Sequence, residues 1–128
     1  MNNLIIDAAN EKIYLMLITD KNIYSVSHGN SKTNYEKLSI LISDFLKKYS
    51  LKINEISKLY VNRGPGSFAG IRNSLAIVKA INVAKNIDYY CFSFDDFNKN
   101  DNVKYENIPY LCDKLKIKKN LIKPIYIS

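Results

Sequence analysis

The sequence predicts an α/β fold, with helices packed on a mixed sheet. Three observations carry it: short β-prone runs open the chain, two long stretches of helical periodicity follow, and a glycine corner joins a further strand directly to the second helix. Residues 3–7, 13–18 and 23–27 read as strands joined by hairpin turns at 8–12 and 19–22. Residues 33–49 read as the first helix, because Leu38, Leu41, Ile42, Phe45, Leu46 and Tyr49 recur at three- and four-residue steps in one apolar stripe. Lys37, Ser43, Asp44 and Lys47 fall elsewhere, and Ile40 sits on the polar side. A strand at 58–62 precedes the corner, the second helix covers 68–84, and another strand occupies 88–92. Ser93 with Asp96 three positions on marks a further short helix start. Residues 98–107, holding Asn98, Asn100, Asn102 and Asn107, read as a polar loop.

The second helix differs from the first. Ile71, Leu75 and Val78 make one face, while Ala76, Ile77, Ala80, Ile81, Val83 and Ala84 carry apolar surface around most of the circumference. Such a helix is covered on more than one side, either by its own fold or by a partner. Ala76, Ala80 and Ala84, at four-residue steps, would let another helix approach closely.

The corner itself concentrates the unusual residues. Both arginines of the chain and three of its four glycines fall within Arg63-Gly64-Pro65-Gly66-Ser67-Phe68-Ala69-Gly70-Ile71-Arg72, while the other basic charge is carried by 17 lysines. Guanidinium is used where a planar, forked donor has a purpose. Ser67 suits an N-cap, and Gly64 and Gly66 permit positive φ or a close backbone approach. A Walker loop would need Lys-Ser/Thr after its last glycine, but Gly70 is followed by Ile71 and Arg72. The dinucleotide fingerprint G-x-G-x-x-G is missed by one residue, and a nucleophile elbow would need glycines where Pro65 and Ala69 stand. On spacing alone the stretch fits either a strand-to-helix corner or a binding loop.

The wider pattern is more specific. Leu4-Ile5-Ile6-Asp7-Ala8-Ala9, the amphipathic first helix and the string from Asn62 to Arg72 together resemble the TsaB family, over roughly residues 3–97. The family's R-G-P-G-S-F-T-G-[LIV]-R string is met except at Ala69, where threonine is usual, and Lys123-Pro124-Ile125-Tyr126-Ile127 is similar to the family's closing strand. The resemblance implies one lobe of the actin-like ATPase (ribonuclease H-like) fold in residues 1–97. Residues 98–128 would be a reduced, basic remnant of the second lobe with its closing strand. It further implies a non-catalytic scaffold and activator subunit in the synthesis of threonylcarbamoyladenosine in tRNA. Its partner would be a TsaD-like catalytic subunit or a second copy of the chain, with a TsaE-like ATPase also associated and tRNA met indirectly. Partner or joint-site candidates are Arg63, Gly64, Pro65, Gly66, Ser67, Phe68, Gly70 and Arg72; interface-helix candidates are Ile40, Ala76, Ile77, Ala80, Ile81 and Ala84.

Chemistry by the chain alone finds little support. His28 is the single histidine, and Cys91 and Cys112 lack paired spacing, so neither a zinc site nor a disulfide is expected. Asp7 ends the first strand, where actin-like ATPases place a magnesium-organising aspartate, but the following hairpin Ala8-Ala9-Asn10-Glu11 has no glycine with which to cradle phosphate. Asp7 therefore reads as a turn or cap residue, with no metal, no catalytic residue and no cofactor held alone. The resemblance leaves ATP or ADP for the joint surface with the partner.

Composition sets the remaining bounds. The 128 residues fit one small domain, and the absence of a membrane-length apolar run or a signal-like start leads to the expectation of a cytoplasmic protein without membrane contact. Net charge is +7, of which residues 97–128 supply +4. Lys114, Lys116, Lys118, Lys119 and Lys123 could track phosphates, with Tyr105 and Tyr110 as stacking surfaces. Two other readings remain: a free-standing actin-like nucleotide-binding enzyme and a small basic tRNA-binding module.

Overall fold

The computed structural model describes residues 1–98 and 103–125. Five strands, β1 (Asn3–Asp7), β2 (Lys12–Ile18), β3 (Ile23–Gly29), β4 (Lys58–Asn62) and β5 (Asp88–Phe92), form one sheet in the order β3-β2-β1-β4-β5. The hairpins make β1–β2 and β2–β3 antiparallel, whereas β4 lies parallel to β1, and β5 parallel to β4. Helical crossovers supply the parallel part. The sheet is therefore mixed, with β1 at its centre.

β1 is apolar at consecutive positions because both its faces are covered. Leu4 and Ile6 join the larger core with Leu15, Leu17, Leu59 and Val61, under the helices. Ile5 points the other way, into a second core with Tyr60, Phe92, Ile108 and Leu111.

The first helical stretch is two helices, α1 (Lys32–Glu36) and α2 (Leu38–Lys48), separated at Lys37, whose φ of −97° and ψ of 10° leave helical geometry. Hydrogen bonding nearly bridges the break, with Leu41 N–H donating to Lys37 O at 2.9 Å. Ser31 accepts from Asn34 N–H and starts α1 one residue ahead of the expected start. The bend brings the Tyr35 ring against Gly70 while Leu38, Ile42, Phe45 and Leu46 stay buried on the sheet.

α3 (Phe68–Lys85) starts on Ser67, which accepts from Gly70 N–H, and ends on Asn86 in the left-handed region. After β5, Ser93 and Asp96 form the expected reciprocal capping box around a 3-10 turn. Another such turn at Tyr105–Asn107 leads into α4 (Ile108–Lys114), which the sequence reading leaves as loop and tail. Pro109 within its first turn suits a helix start, and Ile108, Leu111 and Cys112 bury its inner side on the second sheet face. Residues 121–125 are not a strand, although Ile125 N–H donates to Arg63 O at 2.7 Å. Tyr126 and Ile127 of the expected closing strand lie outside the described residues, as do Asn100 and Asn102 of the polar loop.

Candidate functional site

The glycine corner is built against the β1–β2 hairpin. Asn62, buried at the end of β4, accepts from Gly64 N–H at 2.9 Å and begins the turn. Gly64 has φ of +110° and faces the Ile125 carbonyl, so a side chain would meet both backbone strain and a clash. Gly66 and Gly70 lie directly on the carbonyls of Ala9 and Ala8, and Ser67 N–H donates to Ala9 O at 2.9 Å. The glycines thus serve close backbone approach between the ends of β1 and β4, the rim where α/β sheets commonly hold ligands. Pro65, preceded by a cis peptide bond, is exposed beside them.

The two arginines have different surroundings. Arg63 donates to Asp96 Oδ1 at 2.7 Å and to Lys123 O at 3.1 Å, tying the corner to the turn after β5 and to the tail. Its fork is spent within the chain. Arg72 is exposed one turn into α3 and makes no ion pair among the described residues. Phe68 is 54% exposed at the first residue of the same helix.

Asp7 is fully buried next to this rim. Its Oδ1 accepts from Ala9 N–H at 3.1 Å, closing a local turn, and Asn10 Nδ2 donates to Oδ2 at 3.1 Å. The Tyr105 hydroxyl donates to Oδ2 at 2.6 Å from 98 positions along the chain. Tyr105 also stacks on Tyr14, with ring centres 4.3 Å apart, and meets Phe94 edge-on. Burial, then the Asp7 charge, pushes the Tyr105 phenol well above its ordinary value, keeping it a neutral donor. A hollow of about 800 Å³ opens beside it, with Asn10, Lys12, Ser67 and Tyr105 in its wall. The hydrogen bond from Ala9 N–H makes the expected turn at Asp7, and the tyrosine is the part the sequence did not reveal: a local turn is legible at neighbouring positions, a partner 98 residues away is not.

The interface-helix candidates fall into two groups. Ile40 is 56% exposed, and Ala76, Ala80 and Ala84 all face outward on α3, with Val83 78% exposed beside them. Ile77 and Ile81 are half-buried, lining with Ile42, Leu46 and Ala80 an apolar groove of about 430 Å³ between α2 and α3. Both cysteines are buried free thiols; burial pushes Cys91 up to about 11 and Cys112 up to about 12, which leaves them poor nucleophiles. Among the described residues no three His, Cys, Asp or Glu side chains gather as a metal site, and no helix is long and apolar enough to cross a membrane.

A mixed β3-β2-β1-β4-β5 sheet with α1, α2 and α3 on one face, α4 on the other and an aspartate at the end of its central strand has the fold of a ribonuclease H-like, or actin-like, lobe. Solved structures agree on the fold. YeaZ from Pseudomonas aeruginosa superposes with a TM-score of 0.66 at 20% identity, over 72% of this chain and 43% of its own. The RuvC of T. thermophilus, solved with a Holliday junction substrate, gives 0.55 at 11% identity, over 92% and 80%. In sequence, the tRNA threonylcarbamoyladenosine biosynthesis protein TsaB of Buchnera aphidicola subsp. Baizongia pistaciae is 33% identical over 89 residues, 61% of this chain. The chain spans 40% of the length of that relative. No family model matches. Over that stretch the chain is similar in sequence to a TsaB protein, and with YeaZ it shares the fold.

Proposed function

We propose that the chain acts in tRNA threonylcarbamoyladenosine biosynthesis as a non-catalytic scaffold that binds and activates a TsaD-like catalytic subunit. The observation that carries this reading is the outward face of α3. Ala76, Ala80 and Ala84 form a smooth small-residue stripe beside the apolar groove, next to exposed Val83. Small side chains let a partner helix come close, and the groove accepts its larger ones. A second copy of the chain would use the same face in the absence of the partner.

Arg72 and Phe68 continue this face toward the glycine corner and are its polar and aromatic anchors. Arg63, Gly64, Gly66 and Gly70 act beneath them by holding the corner's shape. Because Asp7 already accepts from three donors of its own chain, ATP or ADP belongs at the joint surface with the partner. A TsaE-like ATPase would join that assembly, and the chain would work in the cytoplasm.

The test is Ala80→Glu, at an exposed position. A carboxylate buried unpaired in a helix contact costs several kcal/mol, so association with a TsaD-like subunit should weaken by roughly 100-fold or more while circular dichroism stays native. A folded variant that associates as the parent does would refute the reading.

A further inference from the structure

We propose that the chain itself touches RNA, through two lysine-rimmed hollows at the β5 side of the sheet, the first of them on the face opposite α2 and α3. The first hollow, about 250 Å³, lies where β4, β5 and α4 meet, with Lys58, Lys116 and Lys119 around walls of Tyr60 and Tyr90. A second, about 350 Å³, is bordered by Lys118 and Lys123, and Ile117 lines both. The strip spans two segments far apart in sequence, so it is more than the basic tail: Lys58 comes from the start of β4.

The geometry places these charges deliberately. Ile117 N–H donates to Cys112 O at 2.9 Å and Lys116 N–H to Asp113 O at 3.1 Å, closing the end of α4 with Lys116 at φ of +53°. Lys58 Nζ stands 5.7 Å from the centre of the Tyr90 ring, which is itself stacked on Tyr60. Acidic groups nearby are fewer: Asp113 lines the first hollow, and Asp88 meets Lys119 at 3.4 Å, an exposed and weak pair. Asp96 at the second hollow is taken by Arg63. The strip stays net positive.

Lysines set in hollows suit a phosphate backbone, whose projecting oxygens can enter, better than a flat bilayer surface, which reaches only the rims. Point charges of this kind position a backbone without reading sequence. Tyr105, expected as a stacking surface, is engaged with Asp7 and is not part of the strip. That the RNA is tRNA rests on the function proposed above; the phosphate-binding surface does not.

The experiment uses the full chain, unmodified tRNA and anionic vesicles containing phosphatidylglycerol. With three phosphate contacts, affinity for tRNA should fall about 20- to 40-fold between 50 and 200 mM salt. Lys116→Ala with Lys119→Ala should lower the slope of log K against log salt by about 1.4–1.8, while Lys21→Ala, in the β2–β3 turn, should leave it unchanged. An unchanged slope in the folded double variant overturns the proposal, as does a loss confined to vesicle binding. Binding to the TsaD-like subunit should survive the double variant, so that failure here and failure of the helix interface register separately.

Discussion

Tyr105→Phe removes one oxygen and leaves the ring's packing on Tyr14 and Phe94 in place. What is lost is a 2.6 Å donor to the carboxylate of Asp7, a side chain with no exposed surface. Hydrogen bonds to charged groups contribute about 1.5–3 kcal/mol, and the remaining donors, Ala9 N–H and Asn10 Nδ2, already point at the same carboxylate. The variant should therefore lose about 1.5–3 kcal/mol, a fall in Tm of about 5–12 °C for a chain of this size. A urea melt gives the free energy, and a cycle with Asp7→Asn isolates the pair: the double variant should cost at least 1 kcal/mol less than the sum of the singles, of order the coupling expected for groups in contact. Strictly additive losses, or a Tyr105→Phe variant within about 0.5 kcal/mol of the parent, would show that this bond does not hold the C-terminal segment on the sheet.

Arg63→Lys should lower Tm, by about 1–2 kcal/mol of stability, because an ammonium cannot reach both Asp96 and the Lys123 carbonyl. Arg72→Lys should leave the melt unchanged and weaken partner-dependent tRNA modification; the reverse pattern would exchange the two roles. Alkali should destabilise the fold: Tyr60, Tyr105, Cys91 and Cys112 all have folded values raised by burial. Their contribution is therefore complete below about pH 8 and is lost as pH rises through the unfolded values, first of the thiols and then of the phenols, because the unfolded chain releases those protons first. Denaturation midpoints across pH 8–11 measure this, and a flat profile would contradict the burial. A thiol reagent at pH 8 should label both cysteines slowly in the native protein and rapidly in urea, since each is buried as well as protonated.

Local periodicity was enough to place the five strands, the long helix after the corner and the Ser93–Asp96 capping box, because each depends on residues within a few positions. The same locality explains what it missed. The one-residue break at Lys37 answers to Tyr35 settling on Gly70, and α4 forms because Ile108 and Leu111 find the second face of the sheet. Residues around them in sequence carry too little apolar repetition to announce a helix.

At the corner, the sequence shows two arginines and three glycines within ten residues. Only the folded chain separated them, giving Arg63 a carboxylate 33 positions away and leaving Arg72 to solvent. Asp7 has the same history: its turn to Ala9 is written in neighbouring residues, while its bond to Tyr105 closes a loop of 98. Sequence determined the elements through short-range backbone preference and hydrophobic period. Tertiary structure decided the partners, because a hydrogen bond needs atoms within about 3 Å and no spacing rule brings distant residues that close.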